Sequence, residues 1–415
     1  MTSAIATLPD GSVTSPAGFT AAAAHAGLKA DDALDVALIV SAASCATAGV
    51  FTRNAVRAAP VIYDADLLSE RPGRVRAVAM NARVANACTG ADGLEAARAM
   101  ARAAEEAAAL PPRTALVLST GVIGVPLPVD KVAAGLREAA ARLSADSGIE
   151  AARAIMTTDT RPKHCAVRLD TPAGAITVGG IAKGAGMIHP DMATLLGVLT
   201  TDAVSEPSVL GPFLKRVADR TFNAISVDGD TSTNDTVLLL ANGLSGVDPA
   251  RDGATWKLFE EAVTEVARTL ALAVVQDGEG ATKLLEIHVV GAQTEAFARE
   301  VGRAIARSTL VKTAIYGADP NWGRVLAAAG AAGVPITPDR LGLQAATLKD
   351  ETDGDWLTLA TGGATAHPDP ARARAIFQQK TIRLRLDLGV GRAEAVVWTC
   401  DLSPEYVRIN SDYTS

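Results

Sequence analysis

Residues 183–194, KGAGMIHPDMAT, gather a lysine, a histidine and an aspartate among glycines, ahead of a threonine that opens an apolar run. Gly180, Gly184 and Gly186 permit tight backbone paths that side chains would block. A threonine hydroxyl is a weak nucleophile unless a base stands beside it. Cutting the chain before Thr194 would supply one, because the new α-amine, with an ordinary pKa of about 8, sits on the same residue. The cut itself could come from attack by the Thr194 hydroxyl on the carbonyl that precedes it. Read from composition alone, the segment is a glycine-rich turn leading into a strand. A phosphate-binding P-loop does not fit, since no Gly-Lys-Ser/Thr run opens a helix here.

Other clusters carry less. DGDTSTNDT (228–236) alternates carboxylates and hydroxyls like a calcium loop. It lacks the sixth-position glycine and the closing glutamate, so no metal is expected there. The histidines (His25, His164, His189, His288, His367) form no metal-ligand pair, and the cysteines (Cys45, Cys88, Cys165, Cys400) show no Cys-x-x-Cys spacing. The cysteines read as buried small hydrophobes. His189 reads as a structural turn residue and Trp322 as a packing anchor.

These groups must be held by regular elements. Residues 91–110 are rich in helix formers and stop at Pro111 and Pro112, which predicts a helix. Residues 131–145 predict a second, and 256–275 and 294–306 two more. Short apolar runs predict buried strands at 114–118, 175–178, 194–200, 236–240 and 284–290. STGVIG follows the first of these, and GGIAKGAGM the second. Alternation in 381–388 predicts a further strand, with 395–400 as its pairing neighbour. The uncharged run 36–52 is short for a membrane span and carries Ser41, Ser44, Thr47 and Gly49. It reads as a buried strand followed by a loop. Strands and helices mix without a strict βαβ rhythm, so the fold class is α+β and layered rather than doubly wound.

KGAGMIHPDMATLL resembles the signature of the ornithine acetyltransferase family, the glutamate N-acetyltransferases of arginine biosynthesis. The resemblance covers nearly the whole chain in ordered blocks. They are AAPV (58–61), NACTG (86–90), STGVIG (119–124), MTTDT (156–160), SVDGDTSTNDT (226–236), DGEGATK (277–283), VKTAIYGADPNWGR (311–324) and the tail 406–415. It implies a layered α/β/β/α core of N-terminal-nucleophile-like type, with a smaller C-terminal α/β domain. It also implies self-cleavage between Ala193 and Thr194, into chains 1–193 and 194–415. The core would continue to about residue 280 and the smaller domain would span about 281–400, the tail returning to the active site.

Roles follow by the same resemblance. Thr194 would be the nucleophile, with Thr120 and Gly121 as the oxyanion hole. Thr157, Lys183, Thr194, Glu279, Asn410 and Ser415 would contact substrate. Lys183 suits an α-carboxylate as a point charge, and Glu279 suits an ammonium group. Taken alone, both read as solvated surface charges. The implied reaction moves acetyl from N2-acetylornithine to glutamate through acetyl-Thr194, with neither cofactor nor metal. Some members of the family also use acetyl-CoA. The two chains would stay together and pair as α2β2. An N-terminal-nucleophile aminopeptidase of the same fold and an uncleaved binding protein are the alternatives. The chain departs from the family at Ala82-Arg83-Val84, where serine-glycine-asparagine is usual, at Asp191 for asparagine, and at Ser415 for threonine.

Bulk properties narrow the classes further. The 415 residues are 48% hydrophobic and 20% charged, as in a globular protein. A net charge of -7 and an aromatic content of only 4% argue against a nucleic-acid partner. The N-terminus has no basic stretch of a secretory signal, so a soluble cytoplasmic protein without a membrane partner is expected.

Overall fold

The computed structural model describes residues 5–30, 32–189, 195–347 and 356–412. Asp191, Ala193, Thr194 and Ser415 lie outside the described residues.

The first part of the chain runs β1 (Ile5–Thr7), β2 (Phe19–Ala24), β3 (Val36–Phe51), α1 (Ala59–Glu70), β4 (Val75–Asn81), α2 (Gly90–Ala107), β5 (Ala115–Ser119), α3 (Val129–Ala140) and α4 (Gly148–Ala154). Then follow β6 (Lys163–Thr171), β7 (Gly174–Lys183), β8 (Leu196–Thr201), α5 (Pro207–Arg220), β9 (Ile225–Ser226), β10 (Thr236–Ala241) and α6 (Gly253–Gln276). All these strands except β9 join one mixed sheet of order β1-β6-β7-β8-β10-β3-β4-β5, with β2 also on β3.

The uncharged run is almost entirely the single strand β3, not a strand and a loop. Its first part pairs with β2 and β4, and its second part, after an irregularity between Val40 and Cys45, pairs with β10. One strand therefore serves two sheet layers, which no local pattern announces. Between the layers, alternate residues of β3, β4 and β5 (Ile39, Met80, Leu118) share a core with Ile181, Val198 and Leu240 from β7, β8 and β10. The opposite faces meet helices. Leu38, Ala79 and Val117 pack against Ala97, Met100 and Ala104 of α2 and Leu136 of α3. Val178, Leu199 and Leu239 pack against Phe213 of α5 and Phe259, Val266 and Leu270 of α6. The fold is thus α+β, with the layer order α/β/β/α. At about 25 cal/mol per Å² of apolar area, burial of these faces is the main driving force. Alanine dominates the buried face of α2 (Ala97, Ala101 and Ala104), whereas α5 and α6 contribute larger side chains, Phe213 and Phe259 among them.

Two glycines inside β7 show why its strand outlasts the expected 175–178. A Cβ on Gly179 would lie 2.0 Å from the Ser12 carbonyl oxygen, and one on Gly180 would lie 2.7 Å from Leu199. Crowding, not turning, selects glycine there.

The remainder runs β11 (Leu284–Ala292), α7 (Glu295–Ala306), α8 (Thr309–Tyr316), α9 (Trp322–Gly330), β12 (Gly342–Thr347), β13 (Leu357–Thr361), β14 (Ala364–Thr365), α10 (Pro370–Phe377), β15 (Thr381–Asp387), β16 (Ala393–Cys400) and α11 (Pro404–Asp412). Its sheet has the order β14-β13-β12-β15-β11-β16-β9. Strands β15 and β16 are therefore not neighbours: β11 lies between them, parallel to β15 and antiparallel to β16. The α7 and α9 faces cover this sheet with a separate core, on which Trp322 packs. Cys45 and Cys400 are buried, but Cys88 is exposed, so the reading of all four cysteines as core residues fails at Cys88.

The edge strand β5 is sealed by side chains. Val117 N–H donates to Asp64 Oδ1 at 2.9 Å, Tyr63 Oη donates to the Ala115 carbonyl, and Glu105 accepts from Thr114 and Ala115 N–H. An open row of donors and acceptors is thereby closed to pairing.

Candidate active site

The ends of strands β5 and β7, the loop that leads into β10 (Ser232, Thr233, Asn234 and Asp235) and the segment after α6 converge on one cavity of about 180 Å³. Thr120, Gly121, Thr157, Lys183, Glu279 and Asn410 all line it. Leu195 lines it too, and is the covalent neighbour of Thr194.

Thr120 and Gly121 follow directly on β5. Gly121 has φ +134°, and a Cβ there would lie 2.0 Å from the Arg83 carbonyl carbon, so only glycine fits. The loop is pinned on both sides. Asn81 Oδ1 accepts from Ser119 Oγ at 2.6 Å, and Asn234 Nδ2 donates to the carbonyls of Ala85 at 2.6 Å and Ser119 at 2.8 Å. The departure at Ala82-Arg83-Val84 lies against this loop, since Val122 N–H donates to the Arg83 carbonyl at 3.0 Å. Arg83 adopts φ +72°, a left-handed backbone conformation uncommon for residues other than glycine.

Lys183 ends β7 and is buried, not a solvated surface charge. Its Nζ donates to Thr157 Oγ1 at 2.7 Å and to Thr120 Oγ1 at 3.2 Å. Each hydroxyl accepts from the ammonium and keeps its own proton to offer inward. Burial pulls the Lys183 pKa below the ordinary lysine value, and Lys163 adds to this, while Asp159 opposes it. Asp159 is itself fully buried. Burial pushes its carboxyl up, but Lys183, Lys163 and hydrogen bonds outweigh this and hold it down at about 2.

Glu279 follows α6 and is also buried. Asn410 Nδ2 of α11 donates to its Oε2 at 2.7 Å, and its N–H donates to the Ala185 carbonyl at 2.9 Å. A Cβ on Gly186 would lie 2.4 Å from the Glu279 carboxyl, so any larger residue here would displace that carboxyl. Asp228 accepts from Met187 N–H, Ile188 N–H and Tyr406 Oη, tying the same loop to α11.

His189 is structural. Arg303 can only donate, at 2.9 Å to Nε2, so Nδ1 carries the proton toward Ser226 Oγ at 3.0 Å. Burial, then Arg303 and Arg307, push its pKa down to about 3, which keeps the ring neutral. Sequence reasoning missed Asn234, Asp159, Lys163 and Asp277 as parts of the site. The only signal was that Asn234, Asp159 and Asp277 stand in ordered family-like blocks.

Among the described residues no cluster of His, Cys, Asp and Glu could hold a metal ion. No described helix is long and apolar enough to cross a membrane.

Residues 20–415 match the model of the ArgJ family. The Arginine biosynthesis bifunctional protein ArgJ of Symbiobacterium thermophilum is 48% identical over 406 residues, covering 97% of this chain and 98% of that one. The protein of the same name from Thermotoga neapolitana is 46% identical over 400 residues, covering 96% and 99%. A solved ornithine acetyltransferase from Mycobacterium tuberculosis, complexed with ornithine, is 43% identical. It covers 46% of this chain and 100% of its own, with a TM-score of 0.42.

Proposed function

Because the chain belongs to the ArgJ family, we propose that it is the acetyltransferase of arginine biosynthesis that moves acetyl from N2-acetylornithine to glutamate. The observation that carries the mechanism is the convergence of Thr120, Gly121, Thr157, Lys183, Glu279 and Asn410 on the cavity that Leu195 also lines.

In this reading the Thr194 hydroxyl first attacks the Ala193 carbonyl, and water resolves the resulting ester into chains of 193 and 222 residues. The freed Thr194 amine then takes the hydroxyl proton as Oγ attacks the acetyl carbonyl. The developing oxyanion receives hydrogen bonds from the Thr120 hydroxyl and the Gly121 N–H. The tetrahedral adduct expels the ornithine amine, which takes up the proton. The amine of glutamate then attacks acetyl-Thr194, and the same steps run in reverse. The Thr120 N–H is engaged by the Asn81 carbonyl, so its contribution comes from the hydroxyl that Lys183 orients. Lys183 pairs with the substrate α-carboxylate and Glu279 with the ornithine ammonium. Ser415 is assigned to substrate contact by the family resemblance alone. The two chains remain one folded unit and assemble as α2β2.

The test is direct. The purified chain should run as two fragments on a denaturing gel, the second beginning at Thr194. It should form N-acetylglutamate and ornithine with parallel double-reciprocal plots. Thr194→Ala should stay uncut and inactive. Release of free acetate without need of glutamate would instead mark a hydrolase, and intersecting plots would contradict the acyl-enzyme. Glutamate acetylation from acetyl-CoA, followed by thiol release, reads whether a second reaction is present.

A further inference from the structure

We propose that the buried chain Asp159–Lys163–Asp277 is a spacer that fixes the separation of Lys183 and Glu279, and so selects substrates by the distance between their charged ends. It deepens the acetyl-transfer reading above and rests on it for the identity of the ligand.

Lys163 Nζ bridges two carboxylates, Asp159 Oδ1 at 2.6 Å and Asp277 Oδ2 at 2.6 Å. All three side chains are at most 4% exposed, and none lines the cavity. Asp159 also accepts from Gly184 N–H at 2.7 Å and Thr157 N–H at 3.0 Å, and stands 3.8 Å from Lys183 Nζ. It thus holds the cationic end of the pocket at three points. Asp277 accepts from the Thr160 N–H at 3.0 Å and from the Thr160 hydroxyl. It stands two residues before Glu279, whose N–H returns to the Ala185 carbonyl. The contacts therefore close a ring: Lys183, Asp159, Lys163, Asp277, Glu279, Ala185 and back.

Stability alone does not call for such a ring. Burying a lysine and two carboxylates is costly, and apolar side chains of similar volume usually do as well or better. What apolar packing cannot do is fix two opposite charges at a set distance through directional contacts. One methylene more or less in a hydrophobic pocket is worth about 10-fold to 200-fold in discrimination, and two charges held at a set distance should discriminate at least at the low end of that range.

The readout is equilibrium binding, by calorimetry, of L-ornithine and of its homologues one methylene shorter (2,4-diaminobutyrate) and longer (lysine). The wild-type chain should prefer ornithine by about tenfold or more. Lys163→Arg, which keeps the charge but lengthens the bridge, and Thr160→Val, which loosens Asp277, should each shift the ornithine-to-homologue ratio by at least about tenfold. The mild Thr160→Val change keeps the test open should Lys163→Arg fail to fold. Weakening all three ligands in proportion would mean a merely structural role and overturn the spacer, as would absence of selectivity in the wild-type chain. A shifted ratio in a chain that transfers no acetyl would sustain the spacer and refute the transfer reading.

Discussion

Adding one methyl group at Gly186 should disable the anionic end of the pocket while leaving the fold standing. The new Cβ would lie 2.4 Å from both Cδ and Oε2 of Glu279 and 2.5 Å from Oε1. Ordinary contact between such atoms begins at about 3.5 Å, so the carboxyl must retreat by about 1 Å. It has little room, because Asn410 holds Oε2 and the Glu279 N–H is fixed on Ala185. A misplacement of about 1 Å at a positioned group costs about 10²-fold in rate, or about 2.7 kcal/mol of transition-state stabilisation. The assay is steady-state transfer with N2-acetylornithine and glutamate varied in turn, alongside a thermal melt. Gly186→Ala should lower kcat/KM for N2-acetylornithine about 10²-fold. Overpacking of this kind costs about 1–3 kcal/mol, so the chain should still fold and show a cooperative melt. An unchanged kcat/KM for N2-acetylornithine, with the fold intact, would refute the assignment of Glu279 to the ornithine ammonium.

Three further outcomes are expected. Asn234→Ala removes the donor that holds the Ala85 and Ser119 carbonyls, so kcat should fall tenfold or more with a smaller change in KM, and chemical denaturation should show a loss of about 1–3 kcal/mol. His189 has a folded pKa depressed to about 3 against about 6.5 unfolded, so its contribution is full above pH 6.5 and is lost as pH falls toward 3, by at most about 1.4 kcal/mol per pH unit. Denaturation at pH 7 and pH 5 should show that loss in the wild type and less of it in His189→Gln. Asp64 is fully buried with Oδ2 unpartnered, and burial raises its pKa well above the usual carboxylate range. A raised folded pKa means stability that is present at low pH and lost as pH rises through the folded value. Asp64→Asn, which keeps the acceptor for Val117 and removes the charge, should therefore raise the melting temperature at pH 7, and the gain should shrink on acidification.

Much of the local structure was legible. The α2 pattern announces itself through helix formers ended by two prolines, α6 through its amphipathic pattern, and β5, β10 and β11 through short apolar runs. What escaped is set by partners far along the chain. The full length of β3 follows from its being shared by two layers, and the intrusion of β11 between β15 and β16 depends on pairings across about a hundred residues. Lys183 and Glu279 look like surface charges because each, alone, would be too costly to bury. Their burial is made tolerable by Asp159 and Asn410, which lie distant in sequence. Six of the site residues came from family-like blocks, not from any physical pattern, and of the buried bridge behind them only Asp159 and Asp277 stand in such blocks, while Lys163 stands in none.

The strand pair β7–β8 has a consequence for reversibility. Lys183 and Leu196 are partners in an antiparallel ladder, and β8 pairs on its other side with β10. Severing the connection between β7 and β8 would leave both ladders intact while converting a one-chain folding problem into a two-chain one. An uncut precursor forms that ladder as an intramolecular event, at a rate independent of concentration. A cut molecule that is fully denatured must find its other half by diffusion, so its recovery should rise with protein concentration where that of an uncut variant does not. The maturation step would thus act as a ratchet, after which the molecule keeps its structure by never letting go of it.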